Sequence, residues 1–526
     1  MCQGWRQIVF TSPLSLNLRL LCTYGAPVLK TLDCWPTLPI IVQYGGSSDL
    51  VPPSPEDDDN IIAALQQSGR VSSISLNITS TLHKKLSAIS EPFLELEDLA
   101  LLSQDSVQLT LPSTFLWGPC LRTLHLTKIA VPSLPPLLLP CQDLIDLQLH
   151  EIPSSGYFSP EAFTNALFGT PQLRSLTLHL LSFSRRRSYL GLPPPPGGRI
   201  VLAALTRFEY RGTSKYLDIL VARIDAPRLG EINITLFAQP TMDASQLGRF
   251  IERIEVQTSF SQANIETSAH AISISLTNTS TSTPLQLQIS CKQVDWQLSC
   301  MAQVCDQFSP FLSRVEKLGI TTSQLSSVQD DVASEQWVEL VGSFDGATDF
   351  RIANDIATAV LRAFCRADDR HTTVLSALRH LNVEDPMETN EQSWDALLSF
   401  VNLRSLSGRP VQVNVPLFQC HVCRAGFRLQ KVLERHLEDE HAYRVMCSYC
   451  ANFEWTTGHN DLFREHLDSE HPEVASKDAL IWSPLLARSL PSQLESLLKQ
   501  HISLCPPGIV PSSPMMSVTA PHSQSQ

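Results

Sequence analysis

One spacing recurs ten times along the chain and limits its fold more than any other feature: apolar, two residues, apolar, one residue, apolar. The most regular copies are Leu96-Leu99-Leu101, Leu121-Leu124-Leu126, Leu144-Leu147-Leu149 and Leu173-Leu176-Leu178. Val71-Ile74-Leu76 precedes them, and looser copies follow at Leu205-Phe208-Tyr210, Leu229-Ile232-Ile234, Ile251-Ile254-Val256, Val315-Leu318-Ile320 and Leu378-Leu381-Val383. Residues two apart point to the same side of a strand, so each copy predicts a short strand with an apolar inner face. The first steps between copies are 25, 25, 23, 29 and 32 residues. That is room for one strand and one return segment, not for a domain.

The return segments carry helix signals. In "SPEAFTNALFG", Ser159 is placed as N-cap, Pro160 at the first helical position and Gly169 just past the end. "DDDNIIAALQQSG" (57–69) puts acidic residues at the positive end of a helix dipole. "SEQWVELVGSFDG" and "SWDALLSFV" supply later helices. The period and the strand–return alternation predict an α/β, leucine-rich-repeat-like solenoid over residues 21–415. The alternative is a mixed α/β domain with ordinary strands, since the Asn of regular repeats is missing. Two interruptions read as linker or loop: "GGSSDLVPPSPEDDD" (45–59) and "RRRSYLGLPPPPGGR" (185–199).

The C-terminal part changes character. "FQCHVCRAGFRLQKVLERHLEDEH" holds Cys420 and Cys423 two residues apart, twelve more before His436, and four between His436 and His441. Two thiolates on a hairpin knuckle and two imidazoles about one helical turn apart suit tetrahedral zinc, with Phe427 and Leu433 as a small core. Residues 416–442 are therefore expected to form a ββα zinc finger of the C2H2 type, folded by its metal. A second, atypical unit over 443–474 offers Cys447, Cys450, His466 and His471, with fifteen residues in its first gap and His459 as a competing ligand. Residues 475–526 are expected to be a short helix and a disordered tail, since "CPPGIVPSSPMMSVTAPHSQSQ" has no apolar period.

Fingers of this kind often read DNA through helix positions −1, 3 and 6. Here those positions hold Leu429, Val432 and Arg435, then His459, Leu462 and Glu465. Only Arg435 has the fork that pairs with guanine. From Phe418 to His471 there are six Lys or Arg against nine Asp or Glu, and the whole chain has a formal net charge of −13. A phosphate backbone meets the wrong sign, so a nucleic-acid-binding transcriptional regulator is the second reading rather than the first.

The start of the chain, "CQGWRQIVFTSPLSLNLRL", sets Trp5, Arg6 and Ile8 on one helical face, then Pro13 and the alternating Leu16, Leu18 and Leu20. This resembles the last helix of an F-box handing over to a first strand, as in the fungal families that join an F-box to leucine-rich repeats. Residues 1–20 are then the remnant of an N-terminally truncated F-box. The resemblance implies a substrate adaptor of SCF ubiquitin ligases or a truncated relative of one: an F-box lying upstream would grip a Skp-type linker, and the repeats hold the substrate. An alternative is that Trp5 merely caps the apolar end of the solenoid.

Fourteen cysteines, mostly far apart, fit a reducing compartment, cytoplasmic or nuclear. No signal peptide and no long apolar run is seen, so no membrane contact is expected. There is no phosphate-cradling Gly loop and no nucleophile elbow, and both expected zinc sites have four protein ligands and no open position. The sequence thus points to a non-catalytic, zinc-binding protein that recognises a protein partner through its repeats.

Overall fold

The apolar template predicts alternation, and alternation is what the strands show. In a computed structural model, Asp98–Ser103, Thr123–Thr127, Asp146–Ile152 and Ser175–Leu180 each bury the second and third residues of their template and leave the intervening side chain half-buried or, in Ser175–Leu180, also buried. The structure describes residues 19–414 apart from 25–27, 35–37, 45–54, 90, 105–108, 112–117, 132, 181–197, 255–259, 279–283, 292–293, 323–333, 369–373 and 385–390. It also describes residues 4, 418–419, 426–427, 444–446, 454–456, 465 and 469. The chain divides into two compact units, Met1–Phe418 and Gln419–Gln526.

Among the described residues of the first unit, sixteen strands form one sheet. In chain order these are β1 (Leu20–Cys22), β2 (Ile40–Tyr44), β3 (Val71–Ile78), β4 (Asp98–Ser103), β5 (Thr123–Thr127), β6 (Asp146–Ile152), β7 (Ser175–Leu180) and β8 (Arg207–Gly212). They continue as β9 (Glu231–Phe237), β10 (Gln262–Thr267), β11 (Ala271–Thr277), β12 (Leu285–Ser290), β13 (Lys317–Thr322), β14 (Asp349–Ile352), β15 (His380–Val383) and β16 (Gln412–Asn414). The first nine lie side by side in sequence order, all parallel. The order then runs β9–β12–β11–β10–β13, and β13 to β16 are again sequential and parallel. The strand β11 is antiparallel to both of its neighbours, β10 and β12. The molecule is thus a mixed α/β structure built on a long, mainly parallel sheet, as the repeat spacing predicts.

The register stacks the template residues in rows. Val42, Ile74, Leu99, Leu124, Leu147, Leu176, Phe208, Ile232 and Leu285 are partners in turn across nine strands. None is more than 3% exposed, and burying each contributes roughly 1.5–3 kcal/mol. The first apolar residue of the template has its own task. Leu96, Leu121, Leu144, Leu173, Leu205, Leu229, Val315 and Leu378 each donate their N–H to the carbonyl three residues back, closing a turn just before the strand. Between neighbouring repeats one carbonyl then accepts two N–H groups: Arg122 serves Ile145 and Asp146, Ile145 serves Arg174 and Ser175, and Arg174 serves Thr206 and Arg207. These recurring bonds, more than the leucines, define the repeat.

Return helices sit where the signals put them. Pro160–Leu167 is capped by Ser159, whose Oγ accepts from the Ala162 N–H at 3.1 Å. Gly169 follows, and a methyl there would lie 2.6 Å from the Leu139 carbonyl oxygen of the preceding repeat. Pro55–Leu65 carries Glu56, Asp57 and Asp58 in its first turn. Ser334–Gly342 and Glu391–Leu406 are the two later helices.

One expected copy is corrected. Ile251 belongs to the helix Ser245–Glu252, not to a strand, and Val256 lies outside the described residues. The reason is that two intervening residues is also the i, i+3 spacing of a helix: Leu247, Phe250, Ile251 and Ile254 form one buried stripe. A missed copy is Ala347-Phe350-Ile352, where alanine stands in the first position and its N–H closes the same turn onto Phe344.

A candidate recognition face on the sheet

With the template residues turned inward, the intervening residues line the other face of the sheet. Over β5 to β9 these are largely polar and linked across strands. His125 Nε2 lies 2.9 Å from Asp146 Oδ2, which also accepts from Gln148 Nε2 at 2.8 Å. Gln148 Oε1 is 3.2 Å from His150 Nε2, and His150 Nδ1 is 3.1 Å from His179 Nδ1. The two imidazoles meet edge to face with centroids 4.7 Å apart. His179 Nε2 is 2.9 Å from Glu209 Oε1, and Arg207 bridges Glu209 at 3.3 Å and Glu231 at 3.4 Å. One chain of contacts therefore runs from β5 to β9 with three histidines in three successive strands.

The backbone is irregular beside the histidines. Lys128, just after β5, and Glu151, within β6, occupy the same place in successive repeats and both have left-handed φ, 59° and 51°. Their side chains pair at 3.6 Å. The pairing of β6 with β7 breaks between Leu149 and Ile152, so His150 and Glu151 form an irregular step. On the β5 side His150 keeps its ladder partner, Thr127, and only towards β7 does it fall in the shifted step.

Burial and hydrogen bonding shift two of these groups. Burial alone would raise the Asp146 carboxyl, but hydrogen bonds from His125, Gln148 and Ser175 outweigh it and hold the group below the usual carboxylate range. Burial, reinforced by the His179 imidazole, lowers His150. The pair His179–Glu209 has side chains only 17% and 21% exposed, so the hydrogen bond between them is partly shielded from water.

Next to the histidines, Arg211 is the direct strand partner of His179 and of Thr235. Its guanidinium lies 6.0 Å from the Phe237 ring centroid, and it makes no ion pair among the described residues. Leu102, 37% exposed on β4, is an apolar residue on the same face.

The eight expected zinc ligands, Cys420, Cys423, His436, His441, Cys447, Cys450, His466 and His471, all lie outside the described residues. Flanking segments are described. Phe418–Gln419 and Gly426–Phe427 pair in a two-stranded sheet on either side of Cys420 and Cys423. Arg444–Met446 and Glu454–Thr456 pair antiparallel on either side of Cys447 and Cys450. Among the described residues no group of three His, Cys, Asp or Glu side chains is placed to hold a metal ion, and no helix is long and apolar enough to cross a membrane. The F-box-like residues Trp5, Arg6 and Ile8, the loop 185–199 and the tail 475–526 also lie outside the description, apart from Gly198 and Arg199.

The polar chain does not stand out in the sequence, although its signal is present. "TLHLT", "LQLH" and "LTLHL" put histidine between or beside the template leucines in three consecutive repeats. Reading only the buried positions passes over them.

No protein-family model matches the chain, and no curated protein matches its sequence. Among solved structures it is similar to the leucine-rich repeat-containing protein LegL7 from Legionella pneumophila. That likeness has 13% identity, covers 75% of this chain and 99% of that one, and has a TM-score of 0.25. The repeat assignment stands on the strand ladder and the recurring turn bonds described above.

Proposed function

We propose that this chain is a non-catalytic recognition protein whose partner, another protein, docks on the open face of the sheet around β5 to β9. The observation that carries this reading is the linked row His125, Asp146, Gln148, His150, His179, Glu209, Arg207 and Glu231. These side chains contribute nothing to the buried rows, yet each is held by a neighbour. Polar groups fixed before binding lose less freedom on binding, which favours affinity.

The test is proximity labelling in cells with the full chain and two variants. A face variant combines His125→Ala, Gln148→Ala and Arg211→Ala; a control changes exposed helix-side residues Leu398→Ser and Leu406→Ser. A partner lost only from the face variant is the expected result. An identical partner set for all three proteins overturns the reading.

We further propose that the C-terminal unit binds two zinc ions, through Cys420, Cys423, His436 and His441 and through Cys447, Cys450, His466 and His471. The ligand spacing supports this, together with the paired short strands that flank each Cys-x-x-Cys. Bound zinc would supply the folding energy of units this small. The narrower reading, a substrate adaptor of an SCF ubiquitin ligase, has its support in the residues from Trp5 to Leu20. It predicts that a Skp-type linker co-purifies with the chain, and it should be dropped where none does.

A further inference from the structure

Strand direction alone does not choose the order of strands in the middle of the sheet. Both β10 and β12 are antiparallel to β11, so the two outer strands of this meander run the same way. Either can lie parallel to β9, and either parallel to β13. The order found is β9–β12–β11–β10–β13. The sequential order, β9–β10–β11–β12–β13, would keep both pairings inside the meander and both parallel flanks. A further set of contacts must favour the displaced one.

The helix Val294–Gln307, which follows β12, carries such a set on one face: Gln297, Cys300, Gln303 and Gln307. Gln297 is fully buried and holds the helix to the meander itself. Its Nε2 donates to the Cys291 carbonyl at 2.7 Å and to the Ser268 carbonyl, just past β10, at 3.3 Å. The other three side chains hold a different segment, the one that leaves β9. Cys300 Sγ donates to the Gln239 carbonyl at 3.4 Å, and Gln303 Oε1 accepts the Met242 N–H at 2.9 Å. Gln307 uses both halves of its amide: Oε1 accepts the Ala244 N–H at 2.6 Å, and Nε2 donates to the Met242 carbonyl at 2.8 Å. Residues 239–244 belong to no strand or helix, and Met242 and Ala244 are buried. The glutamines thus satisfy backbone groups that have no ladder to serve them.

Reach makes these contacts specific to one order. In the order found, β12 is the direct neighbour of β9. In the sequential order it would lie three strand spacings away, and the helix attached to it would be displaced by two spacings, about 10 Å. The bonds to residues 239–244 do not survive that, whereas those of Gln297 stay within the meander and its exit. We propose that Gln303 and Gln307, with Cys300, form a lock that selects the displaced strand order by gripping the segment after β9. The lock also sets what the open face presents. It puts Gln286 and Gln288 beside Asn233 and Thr235, where the sequential order would put Asn264 and Glu266.

Cysteine reporters in the full chain read the order. Asn233→Cys, Gln286→Cys and Asn264→Cys are combined in one chain, which is unfolded in urea, refolded, oxidised and mapped by mass spectrometry. Residues 233 and 286 are direct strand partners, within disulfide reach. Residues 233 and 264 stand three strand spacings apart, about 14 Å, and come within reach only in the sequential order. With both glutamines present, the 233–286 bond should be the one recovered. Gln303→Met with Gln307→Met keeps the bulk and removes three hydrogen bonds, and the ratio of 233–264 to 233–286 bonds should rise about a hundredfold. Recovery of the 233–286 bond alone from that variant overturns the lock. An equal rise in Gln297→Met overturns it too, since any loosening of the helix would then scramble the sheet. Where the double variant forms neither bond, Gln307→Met alone is read by the same criterion. Neither bond in that variant as well assigns the glutamines to stability rather than to order, and the lock is dropped.

Discussion

Asp218 shows how one side chain can tie two repeats together at a cost that depends on pH. It sits in the helix Ser214–Val221, and its Oδ1 accepts from the backbone N–H of Gln246 at 2.8 Å and of Leu247 at 3.2 Å, in the first turn of the next helix. Burial outweighs those two bonds and pushes its carboxyl up to about 6. The folded chain thus holds this proton more tightly than the unfolded one. The stability it confers is complete below pH 4 and is lost as pH rises through 6. Asp218→Asn keeps an acceptor and removes the titration. It should match the wild type near pH 4 and be more stable at pH 7.5 by about 2 kcal/mol, read from urea midpoints. Nothing in the sequence marks Asp218, because its importance comes from a backbone 28 residues away. The histidine row is legible in principle, since alternation alone places His125 and His179 opposite the buried leucines. The Nδ1 contact is not, since it depends on the rotamers that two neighbouring rings adopt.

At the scale of elements, the helices that announce themselves by caps lie where their residues predict, and the one that mimics the strand template does not. Ser159, Pro160 and Gly169 bracket Pro160–Leu167 because each solves a local backbone problem. The role of Gly169 goes beyond its helix: the Leu139 carbonyl oxygen passes 2.6 Å from where a side chain would begin. Gly169→Ala should therefore force adjacent repeats apart and cost about 2 kcal/mol, seen as a lower urea midpoint with unchanged slope. A midpoint equal to that of the wild type would show that the two segments can separate freely. Sequence spacing also fails to foresee β10 to β12, because strict alternation is the same for parallel and antiparallel strands. The polarity of a strand is set by its connections, which carry no residue signature here.

At the scale of the whole molecule the chain divides into two units, Met1–Phe418 and Gln419–Gln526. The first is held by rows of buried leucine, isoleucine and phenylalanine, and their period along the chain is what makes the long sheet legible from residue order alone. For the second, the ligand spacing leads to one direct expectation. Cys420→Ser should lower zinc content by one equivalent per chain, as measured by elemental analysis of the full-length protein, and leave the urea transition of the sheet in place. Unchanged stoichiometry would mean that a different set of residues binds the metal. The displaced order of strands in the middle of the sheet has a consequence for how the chain is made. From β1 to β9, each strand leaving the ribosome is covered by the very next one. The open edge of β9 is an exception: its neighbour is β12, and both β10 and β11 must be synthesised first. During that interval a nascent chain presents bare backbone donors and acceptors along Glu231–Phe237, the kind of edge that pairs with whatever strand arrives. Slower translation between Phe237 and Leu285 therefore lengthens the time for which that edge is bare.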